Sequence, residues 1–389
     1  MTSPAPRLAL YVHWPFCRAK CPYCDFNSHV AAETDHARFA GAYRRELEYM
    51  AGTYGGGRRL ESIFFGGGTP SLMPAWLVGG IIEDADWLFG LAPDIEITAE
   101  ANPTSTEAAM FTGFRSAGVN RLTLGVQSLR DEALAFLGRE HSAAEALAAL
   151  AEARQTFDRL SIDLIYARKG QAETDWAEEL ETALGLGLDH MSLYQLTIEP
   201  GTGFYTRARR GEMLTADDGL AADMYARTGQ IMAAAGLPAY EVSNHARPGA
   251  ECRHNLIYWQ AEDWIGIGPG AHGRVSAGAG RIGTATRRSP AGWLDAVEAE
   301  GHAVETVIED GPGDVVAERL MMGMRLSEGI DLAALEAAFG ERSRLIDMVA
   351  YDELVAAGLM KNDPDRLCVT EDGRLLLNRV VGALLAGPQ

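Results

Sequence analysis

Six apolar runs alternate with stretches of helical periodicity, and this alternation restricts the fold more than any other feature of the chain. Strands joined by helices and short loops build a parallel sheet. Six units are fewer than the eight of a closed (β/α)8 barrel, so the pattern predicts an α/β fold, a partial (β/α)6 barrel. The predicted strands are 8–14, 62–65, 94–100, 121–126, 160–166 and 191–196, and the predicted helices are 35–51, 74–88, 105–117, 131–155, 173–186 and 216–235.

The strand and helix alternation ends near Ala239. Aromatic and glycine-rich segments follow, and Asp310–Asp314 has the composition of a linker. Beyond it the pattern predicts short helices and one strand, 367–370, typical of a small helical or winged-helix-like domain. We therefore predict a barrel over 1–238, an extension of the barrel over 239–309 and a C-terminal domain over 310–389.

Composition limits the environment and the partners. A formal net charge of −20 makes broad nucleic-acid binding unfavourable, because phosphate neutralisation needs exposed Lys and Arg. No apolar run reaches the length of about 18 residues of a transmembrane helix, and residues 1–7 lack a signal-peptide pattern. Five cysteines, an odd number, argue against a disulfide framework. We predict a cytoplasmic protein without a transmembrane segment, and peripheral contact with a membrane stays open.

Cys17, Cys21 and Cys24 follow the first predicted strand. Three thiolates on one short loop can hold three irons of a [4Fe–4S] cluster and leave the fourth iron open to a small molecule. Zinc prefers paired knuckles and four ligands, whereas Cys252 and Cys368 stand alone. The residues favour a cluster and leave zinc, or no metal, as alternatives.

Polar residues end several of the other predicted strands. The loop 66–70, Gly-Gly-Gly-Thr-Pro, lacks the Gly-Lys-Ser/Thr ending of a phosphate loop. Glu100 and Gln127 stand at strand ends, and Asp163 lies within a strand. Each alone fits a turn or a satisfied hydrogen bond equally well. Because the carboxyl ends of parallel strands meet at one edge, their common position favours a site.

The segment 254–259, His-Asn-Leu-Ile-Tyr-Trp, combines an imidazole with aromatic side chains. Such a set suits a flat aromatic ligand beside an axial histidine. A structural role for the histidine is the commoner interpretation when the residues are considered alone.

Cys-x3-Cys-x2-Cys, with an aromatic residue before the last cysteine, resembles the motif of the radical S-adenosylmethionine (SAM) family. The resemblance implies a [4Fe–4S] cluster on the three cysteines and SAM on the open iron, bound through its amino and carboxylate groups. It also implies an electron donor, since the reduced cluster cleaves SAM to methionine and a 5′-deoxyadenosyl radical. The residues matched to SAM contacts are Tyr11, Tyr23, Gly67, Gly68, Thr69, Glu100, Gln127, Arg139 and Asp163.

Longer segments resemble the haem-chaperone (HemW) branch of that family. The resemblance implies haem binding and transfer to haem-accepting apoproteins, with His254 or Cys252 as axial ligand. It is interrupted at Lys169, where the family usually has proline. The matching segments are 11–17, 21–28, 65–71, 125–128, 163–166 and 254–259, and the implied haem contacts are His254, Asn255, Tyr258 and Trp259.

Two alternatives stay open. The related oxygen-independent coproporphyrinogen III oxidase (HemN) carries a further cysteine where this chain has Phe26, and that difference counts against the oxidase. A non-catalytic zinc-binding or scaffold protein is the other alternative. No catalytic residue is assigned, and whether SAM cleavage accompanies haem transfer is left open.

Overall fold

The computed structural model describes residues 6–31 and 33–385, apart from the side chain of Thr106. Two predictions lie partly outside these ranges. One is the lack of a signal-peptide pattern in residues 1–7, and the other is the C-terminal domain over 310–389. The strands are β1 Leu8–Trp14, β2 Phe16–Cys17, β3 His29–Val30, β4 Leu60–Gly67, β5 Leu91–Ala101, β6 Arg121–Gln127, β7 Arg159–Tyr166, β8 His190–Gln195, β9 Asn244–Ala246, β10 Asp263–Ile267, β11 His272–Ala277, β12 Gly280–Thr286, β13 Val304–Asp310, β14 Ile330–Asp331 and β15 Arg366–Leu367. The helices are α1 His36–Met50, α2 Ala75–Phe89, α3 Ser105–Ala108, α4 Phe111–Ser116, α5 Asp131–Phe136, α6 Ala143–Thr156, α7 Glu173–Leu184, α8 Gly203–Ala208, α9 Asp218–Ala234, α10 Arg253–Trp259, α11 Pro290–Glu300, α12 Pro312–Gly323, α13 Leu332–Phe339, α14 Met348–Ala356, α15 Glu371–Leu375 and α16 Leu377–Leu385.

An eleven-stranded sheet in the order β13-β12-β11-β10-β1-β4-β5-β6-β7-β8-β9 forms the frame of the molecule. From β10 to β8 in this order, every neighbouring pair is parallel. The predicted strands correspond to β1 and β4 to β8, and the α/β fold class is confirmed. Because these strands run in the same direction, their carboxyl ends lie at one edge of the sheet. Each is joined to the next parallel strand by a crossover connection.

The predicted helix 131–155 is wrong as a single element, because the chain turns between α5 and α6. Gly138 adopts φ 69°, a left-handed conformation that ends a helix. Ser142 then starts α6 with a capping box in which Glu145 returns the hydrogen bond. The predicted helix 105–117 is likewise divided, into α3 and α4.

β10 to β13 were not predicted from the sequence. β10 adds a seventh parallel strand beside β1, and β11 to β13 continue the sheet in antiparallel order. β10, β11 and β12 each contain glycine, which weakens a strand pattern. A Cβ atom on Gly266 would lie 2.1 Å from the main-chain oxygen of His272, so the glycine is required by the close approach of β11. The predicted linker 310–314 is mostly structured, since β13 ends at Asp310 and α12 begins at Pro312.

Lys169, the position at which the resemblance is interrupted, makes a main-chain contact that proline could not make. Its N–H group donates to the main-chain oxygen of Leu214 at 3.0 Å. Proline has no N–H group. The lysine therefore keeps the turn after β7 attached to the segment that precedes α9.

A buried carboxylate joins α1 to the strands that the sequence analysis missed. Glu46 accepts hydrogen bonds from the main-chain N–H of Gly268 at 2.7 Å and of Ala303 at 3.0 Å, and from the Trp293 indole at 2.9 Å. Burial raises the pKa of Glu46 to about 7, and these three donors oppose the shift. The carboxylate thus connects three otherwise separate segments of the chain.

A second hydrophobic core lies between α12 and α16 and is built of residues such as Leu320, Leu335, Leu367 and Leu384. The larger core includes residues from β1 to α11, for example Leu10, Ile162, Ile265 and Trp293. The separate second core supports a domain boundary near 310, and we propose the division into 1–238, 239–309 and 310–389. In the described part of the chain, no helix combines the length and the apolar character needed to cross a bilayer.

We expect Glu46→Ala to destabilise the protein strongly, because three buried N–H donors would lose their acceptor. Each unsatisfied donor costs about 1–3 kcal/mol, so the free energy of unfolding should fall by about 3 kcal/mol or more in urea denaturation. Glu48→Ala is the matched control on the same helix, since Glu48 is half-exposed and pairs only at the surface with Arg44; it should cost less than about 0.5 kcal/mol. Equal effects of the two substitutions would contradict the role of Glu46.

Candidate functional site

A cavity of about 530 Å³ opens at the carboxyl edge of the parallel strands, beneath the loop that carries the three cysteines. The structure brings most of the predicted cluster and SAM residues together around it. Tyr11 and Gly67 instead line a neighbouring cleft of about 660 Å³, which shares Phe26 and Glu100 with the first cavity. The predicted residues that line the first cavity are Cys17, Cys21, Tyr23, Cys24, Gly68, Thr69, Glu100, Gln127, Arg139 and Asp163.

The three cysteines are free thiols with donors directed at two of their sulfurs. The Thr69 hydroxyl donates to Cys17 Sγ at 3.3 Å, and Arg139 Nη1 donates to Cys21 Sγ at 3.5 Å. Burial raises the pKa of the Cys17 and Cys24 thiols, so metal must displace a proton to bind them. Hydrogen bonds to sulfur are among the means by which a protein tunes an iron–sulfur cluster.

Within residues 6–31 and 33–385, no three His, Cys, Asp or Glu side chains converge where one metal ion could sit. A cluster binds each cysteine through a different iron. Cys17, Cys21 and Cys24 are free and line one cavity, and their ligation of a cluster stays a prediction.

Gly67, the last residue of β4, and Gly68 allow the turn that follows the strand to pack on the cysteine loop. Gly67 has φ 112°, and a Cβ atom there would lie 2.6 Å from the His13 ring. A Cβ atom on Gly68 would lie 2.6 Å from the main-chain oxygen of Phe16. The glycines are thus required by contacts within the protein, and their contact with SAM stays a prediction.

A hydrogen-bonded chain of side chains runs between two cluster cysteines. Arg139 Nη2 donates to Asn102 Oδ1 at 2.6 Å, and Asn102 Nδ2 donates to the Thr69 hydroxyl at 3.2 Å. Thr69 and Arg139 in turn contact Cys17 and Cys21. The site prediction omitted Asn102, although its position directly after β5 was a usable signal.

The carboxyl groups of Glu100 and Asp163 both line the cavity and interact electrostatically. Removal from bulk water, and then the charge of Asp163, raise the pKa of Glu100 to about 8; a hydrogen bond from the Gly67 main chain opposes the shift. Burial also raises the pKa of Asp163, against donation from the Ser192 and Thr123 hydroxyls. Such a pair favours a ligand that brings hydroxyl donors or positive charge.

Gln127 is held in a strained conformation at the end of β6. Its φ of 68° lies in the left-handed region, which non-glycine residues rarely adopt. Conformations of this kind cost on the order of 1–3 kcal/mol and cluster at functional sites. Gln127 lines the cavity, in agreement with its predicted position at the strand end.

The segment 254–259 forms α10, which lies at the other end of the barrel. His254 hydrogen-bonds through Nδ1 to the Ser62 hydroxyl at 2.8 Å, near the start of β4. The small cavity beside His254 is also lined by Arg121 and His190, the first residues of β6 and β8. The helix therefore closes the amino ends of the strands, whereas the cysteines lie at their carboxyl ends.

The four predicted haem contacts do not form one surface. His254, Asn255 and Tyr258 line a cavity of about 220 Å³, below the range of about 300–1,000 Å³ typical of ligand pockets. Trp259 instead lines a groove against the C-terminal helices, with the Arg325 guanidinium 5.7 Å from its ring centre. The four predicted haem contacts thus lie on two sides of α10, and Tyr258 also lines the cleft of about 660 Å³.

Neither predicted axial ligand is open in this structure. Burial lowers the pKa of His254 to about 3, and its second nitrogen, Nε2, hydrogen-bonds to the Tyr258 hydroxyl at 2.8 Å. Burial raises the pKa of Cys252 to about 12, so the thiol stays protonated, and it donates to Glu96 at 3.4 Å. Ligation by His254 stays a prediction that requires one of its two hydrogen bonds to break.

Sequence comparison identifies the two parts of the chain. A model of the Radical SAM superfamily matches residues 11–183, and a model of the HemN C-terminal domain matches residues 312–376. The first match includes the cysteine loop and the glycine turn, and the second covers most of the C-terminal segment after residue 310.

Two relatives match along almost the whole length. The chain is 42% identical over 99% of its length to the Bos taurus protein named radical S-adenosyl methionine domain-containing protein 1, mitochondrial, and covers 89% of it. It is 38% identical over 98% of its length to a protein of Escherichia coli (strain K12) named heme chaperone HemW, and covers 99% of that protein.

One solved structure shares the fold over both parts of the chain. Escherichia coli coproporphyrinogen III oxidase, HemN, described as a radical SAM enzyme, superimposes with a TM-score of 0.83 over 98% of this chain and 90% of that one. The identity is 22%, so this likeness shows the fold alone. By its full-length relatives, the chain belongs to the radical SAM superfamily, in the family that contains HemW and radical S-adenosyl methionine domain-containing protein 1.

Proposed function

We propose that this protein is a radical SAM haem chaperone that binds haem and passes it to acceptor apoproteins. The observation that carries the proposal is the cavity at the carboxyl edge, where three free cysteines meet the predicted SAM residues. The names of the HemW relatives support haem as the cargo. The cluster ligands would be Cys17, Cys21 and Cys24, with SAM on the remaining iron.

The residues around the cavity have distinct tasks in this proposal. When bound and reduced, the cluster supplies the electron that cleaves SAM. Thr69 and Arg139 donate to the cysteine sulfurs and hold the loop in place. Glu100, Gln127 and Asp163 provide acceptors for the polar groups of SAM on the facing wall. Asn102 links the two sides by accepting from Arg139 and donating to Thr69.

We further propose a cytoplasmic location and a one-electron donor as a partner. Free thiols that hold a cluster need a reducing compartment, and the cysteines of the described chain are unpaired. Haem acceptors are the second class of partner. The acidic chain, with a net charge of −20, is not suited to broad nucleic-acid binding.

Coproporphyrinogen III oxidase activity is a weaker candidate for the function of this protein. Phe26 borders the cavity at the position where the oxidase carries a further cysteine, so this chain lacks that thiol. The HemN likeness concerns the fold alone. Full-length identity to proteins named as haem chaperones supports the chaperone over the oxidase and over a zinc-binding scaffold.

We expect Cys21→Ala to abolish the cluster, because one iron would lose its only protein ligand. Iron and acid-labile sulfide per chain, measured after anaerobic reconstitution, should fall to a small fraction of the wild-type values. Cys368→Ala is the matched control, since Cys368 is buried in the C-terminal core and its thiol donates to the main-chain oxygen of Ser327. A Cys21→Ala variant that keeps the full iron content would refute the ligand assignment.

The function itself is tested on anaerobically reconstituted protein supplied with SAM and a reductant. We expect a Soret band to develop on titration with haem and to move to an added apo-haemoprotein. Coproporphyrinogen III in the same mixture should remain undecarboxylated. Formation of protoporphyrinogen would instead make the protein an oxidase, and absence of any haem binding would refute the chaperone.

We expect the stability of the protein to report on the ionisation of Glu100. The carboxyl group of Glu100 has a pKa of about 8 in the folded state, above its ordinary value of 4.5. The contribution of this group to stability is therefore complete below its ordinary pKa and is lost as pH rises through 8. Glu100→Gln stays neutral, so its melting temperature relative to wild type should rise between pH 6 and pH 9. The exposed Glu132→Gln should show no such trend. A difference that does not depend on pH would contradict the pKa shift.

A further inference from the structure

We propose that Asn102 and Glu107 are positioning residues that set the reduction potential of the cluster. They act by holding the Thr69 hydroxyl as a hydrogen-bond donor to the Cys17 sulfur. This inference rests on the proposed function, which places an iron of the cluster on Cys17. Asn102 directly follows β5 and Glu107 lies in α3, so both act on the cysteine loop from a different part of the chain.

Glu107 is a buried carboxylate surrounded by hydrogen-bond donors. It is 2% exposed. Its Oε2 atom accepts from the main-chain N–H of Asn102 at 2.7 Å and from the Ser71 hydroxyl. Its Oε1 atom accepts from Asn102 Nδ2 and from the Thr104 hydroxyl, each at 3.4 Å. Two of these four donors belong to Asn102, so the carboxylate holds that residue by its main chain and by its side chain.

The neighbours of Asn102 fix the direction in which its amide faces. A guanidinium has only hydrogen-bond donors, and a carboxylate has only acceptors. Arg139 therefore requires the amide oxygen, which accepts from its Nη2 atom at 2.6 Å. Glu107 requires the amide nitrogen. The reverse orientation would place donor against donor at Arg139 and acceptor against acceptor at Glu107, so one orientation of the amide is stable.

The orientation of the amide decides what the Thr69 hydroxyl can do. Asn102 Nδ2 donates to the hydroxyl oxygen at 3.2 Å. A hydroxyl carries one hydrogen, and here that hydrogen remains for the Cys17 sulfur, 3.3 Å from the hydroxyl oxygen. If an oxygen replaced the amide nitrogen, the hydroxyl would donate to that oxygen instead. Glu107 thus controls a hydrogen bond to a predicted cluster ligand without contacting the ligand.

A hydrogen bond to a cysteine sulfur acts on the reduction of the cluster. Reduction adds negative charge, and a donor directed at a sulfur stabilises that charge. Hydrogen bonds to the sulfurs are among the factors that set the reduction potential of iron–sulfur clusters. The Thr69 hydroxyl therefore raises the potential, and its loss makes the cluster harder to reduce.

The test is a redox titration of the reconstituted full chain without SAM, followed by electron paramagnetic resonance of the reduced cluster. Thr69→Val keeps the shape of the side chain and removes the donor. At a fixed potential, the ratio of reduced to oxidised cluster should fall about three- to tenfold, as expected for one hydrogen bond. Asn102→Asp should also lower the ratio, because it places an oxygen beside the Thr69 hydroxyl. Asn378→Asp makes the same chemical change at an exposed position of the C-terminal helix α16 and should leave the ratio unchanged.

Double variants separate the hydroxyl from the effect of charge. In the Thr69→Val chain, Asn102→Asp can act only through its added charge, so it should lower the ratio less than in the wild-type chain. Glu107→Gln provides an independent cycle, since glutamine offers its donors one acceptor oxygen in place of two. It should shift the ratio further downward in the wild-type chain than in the Thr69→Val chain, because the effect of the lost charge is common to both.

Iron content and melting temperature verify that each variant holds the cluster and is folded. A purely structural role would change these values and leave the ratio as it is. A wild-type ratio in Thr69→Val would overturn the role of the hydroxyl, and strictly additive effects in both cycles would overturn positioning by Asn102 and Glu107. Absence of any cluster in the wild-type chain would instead refute the proposed function.

Discussion

The close packing of the turn after β4 against the cysteine loop sets the geometry on which the site depends. The main-chain N–H of Gly68 donates to Trp14 at 2.6 Å, and that of Thr69 donates to Phe16 at 2.8 Å. Any side chain at Gly68 would collide with the Phe16 backbone. This contact places the Thr69 hydroxyl against Cys17, and the rest of the hydrogen-bonded chain to Arg139 follows from it.

The barrel has two ends with different chemistry. At the carboxyl edge, carboxyl groups with raised pKa values, free thiols and cations surround an open cavity. At the amino end, α10 closes the barrel with buried groups that satisfy one another, such as Ser62, His254 and Tyr258. Buried polar groups that are fully hydrogen-bonded stabilise a unique packing. The segment 254–259 thus has a structural role, because its buried hydrogen bonds hold α10 against the amino end of the barrel.

Local patterns predicted the regular part of the fold well. β1 was predicted with its observed ends, and β4 to β8 were each found, because apolar runs in a parallel sheet are buried on both faces. The break between α5 and α6 was missed although Gly138 was present, since a single glycine is tolerated within many helices. β10 to β12 were missed because their glycines serve a close approach of neighbouring strands, which only the neighbouring backbone explains.

The sequence by itself determined the α/β class, the positions of six parallel strands along the chain and the family. Spacing within a loop and periodicity within an element are local properties, and they can be recognised without the neighbours. Only the tertiary structure decided which end of the barrel each motif occupies. It buried His254, because solvent access and hydrogen-bond partners depend on residues far away in the chain, such as Ser62, whose hydroxyl lies 2.8 Å from His254 Nδ1.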